Sequence, residues 1–370
     1  MQEEILRRAW EMHRSGRTWR EIGEELGIEG RVLRKRVARW RARTQRQEMA
    51  AEEGEAPATV ASPALDQSDN LLPVVLNLKR VTAPEELIDN YLDALIEAQA
   101  AEHELDTEQD EATVELPADG GPVGVVFTGD WHVGNRWTDH ALLREHLRLI
   151  RETPGLYWVG MGDYADLFLG RKAGIGVQQH VMPLDMQRRA VQRLMVDGKA
   201  LAYLAGNHDR WLWQMAGVDY VREAAEAAGR PYLGYGGILW IHVGEQRYKV
   251  IVWHDYPGRS AINPGNNQRR VRADYGGADV VVLAHLHNNY RQEGTTPAGD
   301  YLDLRSGTYK MRDDHAAQRA GAKAGDPRMP LIILWPDEHL VWAFRDFAHP
   351  KVLATFISLR EQYGGKGRVA

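Results

Sequence analysis

From residue 123 onward one pattern repeats. Short runs of β-branched and other apolar residues alternate with stretches whose apolar positions recur at helical spacing. The runs predict strands over 123–128, 157–161, 201–205, 249–253 and 280–283, and the stretches predict helices over 140–152 and 185–198. Such alternation predicts an α/β fold. All five strands lead into Asp, Asn or His: Asp130 and His132, then Asp163, then Asn207-His208-Asp209, then His254, then His285-Leu286-His287. In open α/β sheets ligands gather at the carboxyl ends of strands, so the pattern predicts one polar crevice.

The first 46 residues read as three helices. Ile5, Leu6, Ala9, Trp10 and Met12 give the first an apolar face, ended by Ser15-Gly16. Thr18 is placed to cap a second, with Glu21 three residues on, and Trp19, Ile22 and Leu26 line it. Gly27 breaks the chain, and a third helix over 30–43 carries Leu33, Val37 and Trp40 on its apolar side. Its other faces hold Arg31, Arg34, Lys35, Arg36 and Arg39. With Gly23 at the helix crossing and Gly27 at the turn, this head resembles the helix-turn-helix family. The resemblance implies that the third helix enters a DNA groove and that those five residues contact DNA.

Charge divides the chain into three blocks. Residues 1–46 hold 13 Lys/Arg against 7 Glu, and residues 47–119 hold 2 Lys/Arg against 19 Asp/Glu. Residues 120–370 are mildly basic. The two basic blocks suit a polyanionic partner. Within the acidic connector, 47–70 is rich in Ala, Glu, Pro and Ser and reads as linker. A helix is expected over 84–105, opened by Pro84-Glu85-Glu86, with an apolar face suited to packing on the body, to a homodimer or to a partner protein. The expected units are thus a head at 1–46, an acidic linker at 47–119, an α/β body at 120–350 and a tail at 351–370.

Composition narrows the chemistry. The chain has no cysteine, which excludes disulfides, thiolate metal sites and a cysteine nucleophile. No apolar run is long enough to span a membrane, and the charged start lacks a signal-peptide core, so a cytoplasmic protein without membrane attachment is expected. Carboxylates, imidazoles and one amide oxygen, without thiolate, suit Mn, Fe or Zn. Seven candidate ligands exceed the needs of one ion with open positions and suit two ions sharing a carboxylate.

These motifs are Asp130-Trp131-His132, Gly162-Asp163-Tyr164-Ala165-Asp166, Gly206-Asn207-His208-Asp209, His254 and His285-Leu286-His287. In that order they resemble the calcineurin-like metallophosphoesterase superfamily, with Ala284 standing where the last motif has Gly. The resemblance implies a sandwich of mixed sheets flanked by helices. It assigns one metal to Asp130, His132 and His287, a second to Asn207, His254 and His285, and makes Asp163 the bridge. The implied nucleophile is a hydroxide between the ions. His208 would protonate the leaving oxygen, with Asp209 orienting it and holding it cationic. Asp166 would support the site rather than ligate, and the mid-strand His242 is set aside in favour of His254. The remaining His140, His146, His180, His315, His339 and His349 are expected at the surface.

Around the crevice, Arg259, Arg269, Arg270 and Arg272 follow His254, and Tyr309 and Lys310 follow the last motif; these are candidate substrate contacts. The Asp130-to-Gly134 stretch resembles a form common in double-strand-break-processing nucleases. A DNA-binding head on a phosphoesterase body points to a DNA nuclease, with Mn2+ the first expectation for its two ions. The alternatives are a phosphatase of a phosphoprotein, nucleotide or small monoester that uses the head for targeting, and a DNA-binding regulator with a vestigial metal site.

Overall fold

The computed structural model describes residues 2–15, 17–28, 33, 37, 40, 91–99, 108–117, 121–169, 174–196, 198–260, 262–296, 299–312 and 324–366. The chain forms two compact units, Met1–Asp106 and Thr107–Ala370.

In the first unit, α1 (Gln2–Arg14) and α2 (Trp19–Leu26) meet through a small apolar core. Ala9, Ile22, Leu33, Val37 and Trp40 are buried together in it. The capping box at Thr18 forms: its backbone N–H donates to Glu21 Oε2 at 2.8 Å, and its hydroxyl accepts from Glu21 N at 3.4 Å. Gly27 ends α2 in the left-handed region at φ +68°, a conformation in which a Cβ is strained. Glu25 of α2 pairs with Arg8 of α1 at 3.0 Å and with Arg17 of the turn between them at 2.7 Å. Residues 33, 37 and 40 are helical, as the third-helix expectation requires, whereas Arg31, Arg34, Lys35, Arg36 and Arg39 lie outside the described residues. Residues 91–99 are also helical, inside the helix expected over 84–105, and Tyr91, Leu92, Leu95 and Ile96 on it are exposed.

The second unit is a sandwich of two mixed sheets. One has the order β11 (Val341–Phe344), β10 (Leu331–Leu334), β2 (Val123–Thr128), β3 (Leu156–Gly160), β4 (Ala200–Tyr203). The other runs β1 (Glu111–Leu116), β5 (Gly236–Val243), β6 (Gln246–Trp253), β7 (Val280–Leu283), β9 (Gly299–Arg305), β8 (Tyr290–Thr296). Val125, Phe127, Leu239, Ile241, Val250 and Val282 belong to the core between the sheets. The outer face of the five-stranded sheet is covered by α3 (His140–Glu152), α4 (Leu184–Met195) and α6 (Tyr220–Ala228). With both faces covered, β2 is buried along its whole length, which is why it reads as an unbroken apolar run. Strands β2, β3 and β4 pair in parallel, as do β6, β7 and β9, so each trio delivers its carboxyl ends to one edge.

Two expected boundaries move. Within the expected 47–119 linker, Glu111–Leu116 forms strand β1, paired in parallel with β5, its Ala112, Val114 and Leu116 facing inward. A short alternating strand is masked by the acidic residues around it. The expected tail is helix α8 (Pro350–Lys366), whose Phe356 is fully buried and whose Arg360 donates to the Pro122 carbonyl at 2.7 Å. None of the described helices is long and apolar enough to cross a membrane.

His146 of α3, expected at the surface, is buried, with Nδ1 2.9 Å from the Tyr309 hydroxyl and its ring against Phe347. Burial pushes its pKa down to about 4, against the opposing charges of Glu145 and Asp139. The fold therefore holds it neutral. Its contribution is complete above the ordinary value of 6.5 and is lost as pH falls from there toward 4. We expect this one group to remove about 3 kcal/mol of stability across that window. Urea unfolding of the wild type and His146→Gln at pH 7 and pH 4.5 checks it: the variant should lose less on acidification.

Candidate metal centre

The strand ends build the site through an unusual backbone. Six described residues other than glycine have positive φ: Asp130 (48°), His132 (47°), Asp163 (54°), Leu167 (31°), His285 (69°) and His287 (55°). Five of these six are sequence-predicted ligands. Left-handed backbone costs of order 1–3 kcal/mol at a residue with a Cβ and persists where the surroundings enforce it. Here the Gly162 carbonyl accepts from Asp130 N at 2.8 Å, and Asp130 Oδ2 accepts from His285 N at 2.8 Å. At Gly206 a side chain would run into the Asp163 carboxylate, so glycine is needed there. Ala284 fits where its motif has Gly: its methyl group lies in the core between the sheets.

Three groups of potential ligand atoms result: Asp130 with His132 and His287, Asp163 with His254 and His285, and, behind the first, His132 with Asp166 and His208. In the first, Asp130 Oδ1 stands 3.3 Å from His287 Nε2 and 3.9 Å from His132 Nε2, and the two imidazole nitrogens are 3.0 Å apart. In the second, His254 Nε2 is 3.3 Å from both Asp163 Oδ2 and Asn207 Oδ1. Asp163 Oδ2 is also 4.0 Å from His132 Nε2, so this oxygen lies between the groups. Asp163 Oδ1 is occupied by the His208 backbone N–H at 2.8 Å. Asp163, expected as the bridge, groups with His254 and His285, and Asn207, expected in that second set, stands beside His254.

The donors fit divalent cations. Asp130 Oδ1 and His285 Nδ1 are buried with no hydrogen-bond partner among the described residues. His254 Nδ1 donates to the Met161 carbonyl at 2.7 Å, and His132 Nδ1 faces Asp166 Oδ1 at 3.0 Å, which turns each Nε2 into the site. Burial opposes ionisation of Asp163, yet His254, His208 and His132 hold its carboxyl well below the usual range. Burial likewise opposes charge on His254, but Asp163 and Asp130 outweigh it and raise its pKa to about 10. The excess negative charge thus recruits a proton where a cation belongs.

Two supporting roles differ from expectation. Asp209 does not touch the His208 ring. Its carboxylate accepts from Asp163 N at 2.7 Å, Gly206 N at 2.8 Å, Tyr164 N at 3.2 Å and the Tyr220 hydroxyl, so it caps α5 (Asn207–Ala216) and fixes the Asp163 turn. Burial, then the charge of Asp163, raises it to about 7. His208 instead bonds through Nδ1 to the Asp166 carbonyl, and its ring packs 4.1 Å from that of Trp211. It is not held cationic: burial pushes it down to about 3.

Asp166, expected in support, is the buried hub. Besides His132, its oxygens meet Asn135 Nδ2 at 2.8 Å, His180 Nε2 at 3.2 Å and Lys310 Nζ at 3.3 Å. Lys310 and Tyr309 are therefore corrected: both are buried, Lys310 on Asp166 and Tyr309 on His146. They follow a strand and look like rim residues in sequence, but Tyr309 N and Thr308 Oγ1 both donate to the Asp130 carbonyl and pull the segment beneath the site. Arg259 is half-exposed, gripped by Asp255 at 3.1 Å and 2.5 Å. Arg269 and Arg270 are exposed on α7 (Asn266–Asp274), and Arg272 pairs with Asp303 at 2.7 Å on the outer sheet face. His242, set aside in favour of His254, sits within β5, half-buried and opposite Glu115 of β1.

The family model for calcineurin-like phosphoesterases matches residues 124–289. Among solved structures, Vps29 of Entamoeba histolytica in complex with Zn2+ is similar at 12% identity and TM-score 0.33, covering 60% of this chain and 98% of that one. A predicted phosphoesterase of Streptococcus pneumoniae shows 13% identity and TM-score 0.29 over 60% of this chain and 97% of that one. The sulfate thiohydrolase SoxB of Thermus thermophilus shows 11% and 0.34 over 64% and 60%. No curated protein matches the sequence.

Proposed function

We propose that this chain, whose residues 124–289 form a calcineurin-like phosphoesterase domain, is a two-metal phosphodiesterase acting on DNA. The observation that carries the hydrolytic reading is the pair of ligand groups sharing the Asp163 carboxylate. Asp130, His132 and His287 would hold one divalent ion, and Asn207, His254 and His285 the other. Bound there, two such ions supply Lewis-acid polarisation of a phosphate oxygen and an activated water. Mn2+ is our first choice, with Fe and Zn suited to the same donors.

The chain's own groups do the rest. His254 and His132 are fixed in one tautomer by Met161 and Asp166. With Nδ1 engaged on the Asp166 carbonyl, Nε2 of His208 is the atom that would give a proton to the leaving oxygen. Burial, His132 and Lys310 keep the free ring neutral; Asp163 and Asp166 oppose them, and an arriving phosphate would add to that opposition and favour the proton His208 must carry. DNA as substrate is supported by the excess of 13 Lys/Arg over 7 Glu in residues 1–46, joined to the packed helices there. A tethered head raises the local concentration of its polymer at the active site.

Replacing His208 with Ala is expected to leave the metal content unchanged and lower kcat roughly a hundred- to ten-thousandfold. Metal analysis beside kinetics on a chromogenic phosphodiester checks this; a variant that loses metal would show His208 to be a ligand.

A further inference from the structure

We infer that Arg210, Trp213 and Tyr235 form a stacking ledge that holds an unpaired base of single-stranded DNA beside the phosphate being cleaved. The inference rests on the nuclease reading above. Helix α5 carries His208 into the site and presents Arg210 and Trp213 within its next turns. The Arg210 guanidinium lies over two rings, 5.6 Å from the centre of Tyr235 and 5.7 Å from that of Trp213. Tyr235 in turn stands edge-on to His254 with 5.4 Å between ring centres. One aromatic ring therefore separates this arginine from a metal-ligating histidine.

The ledge keeps groups open to an occupant. Arg210 makes no ion pair among the described residues, and it sits in the first turn of a helix, where the backbone dipole disfavours a cation. Arg259 nearby is, by contrast, gripped by Asp255. Trp213 leaves 47% of its surface exposed, an open indole beside Arg210. An arginine next to an open indole matches a nucleotide: the guanidinium meets the phosphate backbone and the indole takes the face of a base. Duplex bases are stacked on one another and have no free face. The ligand class is thus an unpaired strand, including a frayed duplex end.

The test compares KM for a thymidine 12-mer and for an equally long abasic oligomer, with Mn2+, in the wild type and in Trp213→Ala. Stacking is worth roughly five- to a hundredfold per base, so the wild type should favour the base-bearing strand by such a factor. In Trp213→Ala the ratio should collapse toward one. Trp213→Leu, which keeps apolar bulk without a ring face, should collapse it too and serves if the alanine variant does not fold. A wild-type preference that persists in the variants overturns the ledge and leaves the nuclease reading intact. A wild type that cleaves neither oligomer but hydrolyses p-nitrophenyl phosphate overturns both.

Discussion

Asp163→Ala is expected to abolish turnover, by roughly a thousandfold or more, and to lower metal content from about two ions per chain to one or none. The reason is geometric. Asp163 Oδ2 stands between the two groups, 3.3 Å from His254 Nε2 and 4.0 Å from His132 Nε2, so one carboxylate serves both ions. Its other oxygen receives the His208 backbone N–H and so sets the start of α5. Removing it also takes away the charge that balances His254, whose pKa should fall from about 10 when Asp163 is gone. Metal analysis with phosphodiesterase kinetics reads both effects. Retention of two ions with only a mild loss of rate would contradict the bridging role.

The second large effect falls on stability. Asp166→Ala is expected to destabilise the fold by about 3–5 kcal/mol, lowering the melting temperature by roughly 10 °C. Asp166 is fully buried and ionised: burial works against its charge, but His132, His180 and Lys310 more than offset that and hold it well below the usual carboxylate range. Without it, the Lys310 ammonium, itself 1% exposed, loses the carboxylate 3.3 Å away. Pairing the change with Lys310→Met should recover part of the loss, because a buried ammonium that has lost this carboxylate goes too. The His132 ring would also lose its lock, weakening metal binding about ten- to a hundredfold. Thermal melts of the single and double variants in chelator separate folding from metal. A double variant no more stable than Asp166→Ala would contradict the charge argument.

Much of the site was legible because strand ends are where a parallel sheet delivers side chains. The apolar runs located β2, β7 and α3 at their observed bounds, and the residues after the strands are the candidate ligands that come together. What periodicity does not carry is the third dimension. Two sheets, rather than one, stack because β5, β1 and β8 add to the second trio, and β1 was hidden in an acidic stretch. The positive φ angles at Asp130, His132, Asp163, His285 and His287 have no sequence signal, since glycine is absent at all five positions. Tyr309 and Lys310 misled for a related reason: polarity suggests a rim, whereas their partners His146 and Asp166 are distant in sequence and buried. The Trp211 and Arg210 contacts follow from the helical start after Gly206, which a GNHD-type motif does not announce.

The most direct test of the account is cleavage of linear and circular DNA, single- and double-stranded, by the full chain with Mn2+, with and without a chelator. The account predicts metal-dependent cleavage that the chelator stops and Asp163→Ala lacks. Absence of cleavage on every DNA form, alongside metal-dependent hydrolysis of a phosphomonoester, would contradict the nuclease reading and leave a phosphatase in its place.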